Sequence, residues 1–184
     1  MARAEAAPVV TVRRCHTGEL TDAELAEVRG LMEVAFEGDF DAHDWAHALG
    51  GMHVTVRNQR GLVAHGAVVQ RRLLVAGRAL SCGYVEAVAV HPEHRRAGLG
   101  SAVMASLEEL APAYDLLALS ASDEGVALYE ARGWLRWRGP TSAISPDGLV
   151  RTEDDDDSVY VLPGAVVLDL DAPVACDWRD GDVW

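Results

Sequence analysis

The chain contains no lysine. All 16 of its basic residues are arginine, and 29 acids outnumber them, for a formal net charge of −13. Nucleic acids and anionic membranes both demand a basic face, so this balance argues against either as a partner and favours cationic ligands. Long apolar runs are also missing. No stretch approaches the roughly 18 residues of a membrane span, and Met1-Ala2-Arg3-Ala4-Glu5-Ala6-Ala7-Pro8 has no continuous apolar segment after its charges. Neither a transmembrane helix nor a secretory leader is expected, and the expected compartment is the cytoplasm. Cysteine is scarce. Cys15, Cys82 and Cys176 are odd in number and far apart, which offers neither a disulfide framework nor a metal pair. They are read as inert, and no metal site is expected.

What is present is enough apolar material for a core: 49% of 184 residues are hydrophobic, a length that fits one domain. The absence of lysine beside abundant Ala, Gly and Val suggests a GC-rich genome and has no bearing on mechanism. The acidity is uneven. Residues 141–184 hold eleven acids against Arg151 and Arg179, a net of −9. No repeat or domain linker interrupts the chain. The segment from Gly164 to Trp184 holds Val166, Val167, Leu168, Leu170, Trp178 and Trp184, more apolar surface than disorder tolerates, so it is expected to dock on the domain.

Taken in order, Val9 to Arg14 alternates weakly and reads as a first strand after a frayed, Ala-rich start. Thr21-Asp22-Ala23-Glu24 is a capping box for a helix whose apolar face is Leu25, Val28, Leu31, Met32 and Ala35, ended by Gly38. Asp41 is read either as the N-cap of a short second helix or as a ligand group, whereas Asp39 and Asp44 are less easily explained as caps. Met52 to Arg57 and Leu62 to Val75 read as a hairpin about Asn58-Gln59-Arg60-Gly61. A fifth strand, Tyr114 to Leu119, follows a helical crossover and so should run parallel to the fourth. Ser120-Ala121-Ser122-Asp123 supplies caps for the next helix, which ends at Gly133. Trp134 to Trp137 and Val159 to Leu162 could pair as the last strands. Between them, Thr141 to Ser158 reads as a surface segment, with a turn at Pro146-Asp147-Gly148 and a self-repelling run from Asp154 to Asp157.

The stretch from Ser81 to Leu110 is the centre of the chain. Tyr84 to Val90 is a strand stopped by Pro92, with Tyr84, Glu86, Val88 and Val90 expected on one face. Leu99, Val103, Leu107 and Leu110 recur at helical spacing before Pro112. Between strand and helix lies Arg95-Arg96-Ala97-Gly98-Leu99-Gly100. Its two glycines let backbone N–H groups approach an anion, and the helix N-terminus adds partial positive charge, so this is a pyrophosphate site. A dinucleotide loop of the Rossmann type would need three glycines and a later acid, a form absent here. Glu86 is the informative acid. Unpaired carboxylates are almost never buried, so it either pairs with an arginine or faces a cleft, where it could take the proton that an attacking amine must lose.

The pattern Arg95-x-x-Gly98-x-Gly100 at a strand-to-helix junction, followed by Leu128-Tyr129-Glu130-Ala131-Arg132-Gly133-Trp134, resembles the GCN5-related N-acetyltransferases. Further blocks look like the aminoglycoside 2′-N-acetyltransferases among them: Ala35 to Phe40, Leu49 to His53, Gln70 to Leu73, Cys82 to Glu86, Arg132 to Leu135, Gly139 to Ser142 and Cys176 to Trp184. The resemblance covers nearly the whole chain. It implies an α/β fold with a mixed central sheet flanked by helices, residues 1–184 forming a single acetyltransferase domain with a docked acidic C-terminal segment, acetyl-CoA as cosubstrate, and a homodimer.

By the same resemblance, Arg95, Arg96, Gly98 and Gly100 would hold the pyrophosphate, and the backbone of Val88 and Val90 would pair with the pantetheine amides. Glu86 would be the base and Tyr129 the acid that protonates the leaving thiolate. Asp39, Asp44, Glu86, Ser120, Asp155, Asp182 and Trp184, with its terminal carboxylate, would meet the aminoglycoside, although a run of four aspartates can slip by a position. The expected reaction is direct transfer of acetyl to the 2′-amine, an activity capable of conferring antibiotic resistance. Two alternatives stay open: a cellular amino-sugar or polyamine as acceptor, and a catalytically silent module that holds coenzyme or drug.

Overall fold

β-Branched residues on either side of the Asn58 to Gly61 turn build an antiparallel hairpin between β2 (Met52–Asn58) and β3 (Gly61–Val75). The computed structural model of the chain describes residues 10–184; the Ala-rich start lies outside them. β1 (Thr11–His16) pairs with β2, and β3 continues into β4 (Arg78–Val90) through a tight turn. β5 (Leu116–Ser120) lies parallel to β4, as a helical crossover requires. β6 (Leu135–Arg136) and β9 (Val159–Pro163) pair antiparallel, extending the sheet beyond β5.

Three strands escape the sequence reading. The segment taken as surface loop forms β7 (Thr141–Ser145) and β8 (Gly148–Arg151), a hairpin about the expected turn. β10 (Val174–Asp177), in the acidic C-terminal quarter, fills the space between β3 and β7. The result is a ten-stranded mixed sheet. The apolar part of each missed strand is short and its periodicity is broken by acids and turns, and only the neighbouring strands supply the hydrogen-bond partners.

Helix α1 (Asp22–Ala35) starts on the predicted capping box, with Thr21 and Glu24 satisfying each other's backbone N–H. Its buried face, Val28, Leu31, Met32 and Ala35, packs with Ala89 of β4. α3 (Leu99–Glu108) packs on the opposite face of the sheet, where Val103, Met104 and Leu107 join Val85, Leu117 and Leu119. Gly66 of β3 permits that approach, because a Cβ there would stand 2.6 Å from Val103 Cγ1. α4 (Val126–Ala131) begins later than expected, with Gly125 at its N-cap and no side-chain cap, so Ser120 to Asp123 do not cap it. Gly133 takes φ +85° at its C-terminal end, as predicted.

β4 differs from the sequence reading in a way that matters for the site. Its register against β3 shifts between His65 and Ala67, and Ala87 sits at φ +49°, a β-bulge that adds one residue to β4. The alternation therefore reverses at Ala87. Val88 and Val90 turn to the α3 face while Ala89 turns to α1, so Val88 and Val90 do not share a face with Tyr84 and Glu86.

Two histidines are enclosed in this sheet. His53 and His65 are fully buried, with Nδ1 of the first 2.9 Å from Nε2 of the second. Burial lowers both pKa values, to about 4 for His53 and about 3 for His65, against an ordinary value of 6.5. Their neutral forms are favoured in the fold, so the associated stability is present above pH 6.5 and lost as pH falls through about 4. Thermal unfolding from pH 7 to pH 4 is expected to show a falling Tm, and the fall should be shallower in His53→Gln. Equal slopes for variant and wild type would contradict this.

Candidate active site

β4 and β5 pair only from Cys82 to Tyr84 against Leu116 to Ala118, and beyond Tyr84 they separate. The separation opens a cleft of about 920 Å³ lined by Val88, Val90, Gly98, Gly100, Ser122 and Tyr129, among others. At its edge, Gly98 takes φ +78° and caps α3 with no side chain, so the first N–H groups of the helix keep their bonding capacity for an anion. Gly100 has a second reason to be small: a Cβ there would press within 3.3 Å of Leu128 on α4. Arg95 and Arg96 also line the cleft. Arg95 Nη2 donates to the Ala35 carbonyl at the end of α1, 2.8 Å away, and Arg96 stands exposed at φ +61°. Free N–H groups, a residue with no Cβ at the turn and two guanidinium groups fit a pyrophosphate. The strand edge opened beyond Tyr84 leaves main-chain groups for amide partners.

Tyr129 lies in the cleft wall. It is buried, and burial pushes its phenol up to about 12, so it is a neutral O–H donor at physiological pH. Glu86, before the bulge, is 15% exposed and forms an ion pair with Arg179, itself 14% exposed. Burial raises the Glu86 pKa, and the Arg179 charge opposes that rise. The structure thus realises the arginine pairing that the sequence left as one of two options for Glu86. The partner comes from the C-terminal segment, out of reach of local pattern. Arg179 Nε also donates to the Asp182 carbonyl at 2.7 Å, and its Nη2 to the Trp184 main-chain oxygen at 2.9 Å. The Trp184 indole is buried and donates to Thr152 Oγ1 at 3.0 Å. One guanidinium therefore ties the tail to the acid of β4.

A second arginine, missed in the sequence, supports this arrangement. Arg71 is 4% exposed and donates to the Asp177 carboxylate at 2.9 Å and its carbonyl at 2.6 Å. Both guanidinium groups lie over the ring of Tyr84, at 4.8 and 5.4 Å. The three cysteines are free and buried, and burial raises each thiol, Cys176 to about 11, which keeps them in the unreactive thiol form.

The expected acidic residues separate into distinct groups. Asp41 is the N-cap of α2 (Ala42–His47), accepting from His43 and Asp44 N–H. Asp44 returns the bond, accepting from Asp41 N–H at 2.9 Å, so capping explains one of its oxygens after all. Asp39 is exposed in the loop that precedes α2 and lines the coenzyme side of the cleft. In the aspartate run, Asp156 is held by Arg151 and by the Thr141 N–H and hydroxyl, which drive its pKa far down. Asp155 lacks such a cation; burial and the nearby Asp182 carboxylate raise its pKa. Its carbonyl accepts from Ser158 Oγ, which in turn accepts from Ser120 Oγ at 3.1 Å. Ser120 and Asp155 are thereby joined through Ser158 with Asp182 close by, and Asp182 and Trp184 are tied through Arg179 to Glu86.

Among the described residues no group of three His, Cys, Asp or Glu is arranged to hold a metal, and no helix is long and apolar enough to cross a membrane. Comparison with known proteins agrees with the cleft. The aminoglycoside 2′-N-acetyltransferase of Mycolicibacterium fortuitum is 51% identical over 179 residues, covering 95% of this chain and 92% of that protein. A GNAT family acetyltransferase from Brucella melitensis, solved in complex with acetyl-CoA, superimposes with a TM-score of 0.61 at 17% identity, over 94% of this chain and 97% of its own. Eis1 from Mycobacterium abscessus gives 0.59 at 20% identity over 73% of this chain, which spans only about a third (33%) of that larger protein. Residues 16–136 match the acetyltransferase (GNAT) domain model, and the chain belongs to the GNAT acetyltransferase family.

Proposed function

We infer that this protein is an aminoglycoside 2′-N-acetyltransferase, taking acetyl from acetyl-CoA and passing it directly to the 2′-amine of the drug. The observation that carries this reading is the 51% identity to a protein of that activity over 95% of the chain, together with the opened β4–β5 edge that fits a thioester coenzyme. Acetyl-CoA supplies an activated acyl group. The chain's own residues do the rest. Glu86, directly or through water, accepts the proton that the amine loses as it attacks. The Val88 N–H meets the charge developing on the thioester oxygen. Tyr129, kept neutral by burial, donates its O–H to the departing thiolate; the thiol is the stronger acid, so the phenol only relays the proton and is restored by the one that the amine releases.

The acceptor is polycationic, and acids on separate segments supply carboxylates to its ammonium groups. Asp39, Asp44, Asp155 and Asp182 are the proposed contacts, with Ser120 beside the reacting amine. Asp155 is favoured over its neighbours because Asp156 already has Arg151. A cytoplasmic homodimer completes the reading. Exposed Ile144, Leu149 and Val150 on the β7–β8 edge are apolar surface that association would cover, and light scattering tests it.

Regiochemistry tests the acceptor. Kanamycin B, with an amine at position 2′, should be acetylated, whereas kanamycin A, with a hydroxyl there, should give little N-acetyl product. Product NMR showing equal turnover of kanamycin A at another amine would overturn the 2′ assignment. The coenzyme loop is tested separately. Gly98→Val forces a β-branched residue to φ +78°, a conformation that L side chains rarely adopt. The KM for acetyl-CoA should rise by about tenfold or more while acceptor affinity stays within about threefold. Arg95→Ala should act in the same direction with a smaller rise, and unchanged coenzyme kinetics in both variants would remove the loop from the site.

A further inference from the structure

Among the described residues, Ala87 is the one β4 residue whose carbonyl a buried side chain secures. Nδ1 of His65 lies 2.9 Å from the Ala87 oxygen, on the bulge where the β3–β4 ladder loses its register. A carbonyl oxygen only accepts, so His65 carries its hydrogen on Nδ1. Its other nitrogen, Nε2, is then the acceptor for His53 Nδ1–H at 2.9 Å. That leaves His53 Nε2 to accept from the Thr17 hydroxyl at 2.8 Å, the shorter of that hydroxyl's two options; the other, the Gly51 carbonyl, is at 3.2 Å. The Thr17 oxygen accepts in turn from Gly50 N–H at 2.9 Å. Every donor in the chain points the same way, and each bond polarises the next.

This chain ends on one peptide unit. The Ala87 carbonyl and the Val88 N–H belong to the same planar trans amide and point in opposite directions. Val88 lines the cleft that opens where β5 leaves β4, so the His65 side chain that holds the Ala87 carbonyl also fixes the direction of the Val88 N–H on the opposite side of the same amide. Nothing in alanine itself favours φ +49°. The peptide needs an external anchor to keep that orientation, and the His65 bond supplies one. We propose that Thr17, His53 and His65 are positioning residues for acetyl transfer, fixing through the Ala87 carbonyl the Val88 N–H that faces the thioester oxygen. The proposal rests on the acetyl-transfer reading and adds to it a relay that reaches from the end of β1 to the reaction centre.

Histidine-labelled protein examined by ¹⁵N NMR should report the Nδ1–H tautomer for both rings, the minor form of the free amino acid. His65→Phe and His53→Leu should lower kcat by roughly 10–100-fold, less than the loss of an oxyanion donor altogether, because the N–H remains but is misaimed. Affinity for coenzyme A, measured by calorimetry, should stay within about threefold, a split that general loosening would not produce. Thr17→Val, which removes only the hydroxyl, should lower kcat by about 2–10-fold and move the Val88 amide resonance. An Nε2–H tautomer at His65 in the wild type, or an unmoved Val88 resonance in Thr17→Val, would overturn the proposal. Both readouts are independent of the acceptor and of whether the His65 variant folds. An acceptor misassignment would show instead as wild-type protein that leaves aminoglycosides unmodified while the tautomers are as expected.

Discussion

Glu86→Gln is expected to lower kcat by roughly 10–10⁴-fold, the range spanned by general acid–base groups, with the KM for acetyl-CoA little changed. Glutamine keeps a carbonyl that can accept from Arg179 but has no basic oxygen for the proton of an attacking amine. The pH dependence adds a second signature. Because burial raises the Glu86 pKa, the acidic limb of the wild-type kcat profile should lie above the ordinary carboxylate value of 4.5. Arg179 opposes that rise by favouring the ionised form, so Arg179→Gln should push the limb to still higher pH, and Glu86→Gln should abolish it. Tyr129→Phe is expected to lower kcat over a similar range. Its basic limb lies out of reach, since the phenol titrates only near 12. Wild-type kcat at every pH in both the Glu86 and Tyr129 variants would reject these roles; single-turnover measurements guard against slow product release hiding a loss.

A chain ending at Gly181 should lose about 100-fold or more in aminoglycoside affinity while acetyl-CoA affinity stays within about threefold. Three effects combine. The Asp182 carboxylate is lost from beside Asp155. The carbonyls of Asp182 and Trp184, which hold two nitrogens of Arg179, disappear, and with them goes the orientation of the Glu86 ion pair. The buried Trp184 indole leaves its place against Thr152, uncovering core contributed by Trp137, Val174 and Cys176. The coenzyme cleft lies on the other side of Glu86, along the strand edge and α3. Asp182→Asn alone removes only an exposed charge and should cost about tenfold or less. Titration calorimetry on both variants separates the cases; affinity of the truncated chain equal to wild type would reduce the tail to packing.

Local signals in the sequence were strong where one segment suffices to define structure. The Thr21/Glu24 capping box, the Asn58 to Gly61 hairpin, the Gly98 turn into α3 and the Gly133 helix end each depend on residues a few positions apart, and each stands where expected. The same locality misled at Ser120 to Asp123, where cap residues precede α4 without capping it, and at Asp44, whose carboxylate is shared with the Asp41 N–H.

By itself, then, the sequence determined the family and the strand–loop–helix that opens the cleft, because these follow from side-chain type and short-range spacing; it offered Glu86 as a candidate base from its place in a strand and Tyr129 as a candidate acid only through the family resemblance. Tertiary structure alone decided three things. It paired Glu86 with Arg179 across 93 residues of chain. It distinguished Asp155 from Asp156 by giving the latter to Arg151 and Thr141. It also inserted the Ala87 bulge that reverses the face of Val88 and Val90. An extended pattern records only that residues alternate, and a single added residue inverts everything after it. Where that residue enters is fixed by the partner strand and by the buried His65 that holds its carbonyl, which no window along the chain contains.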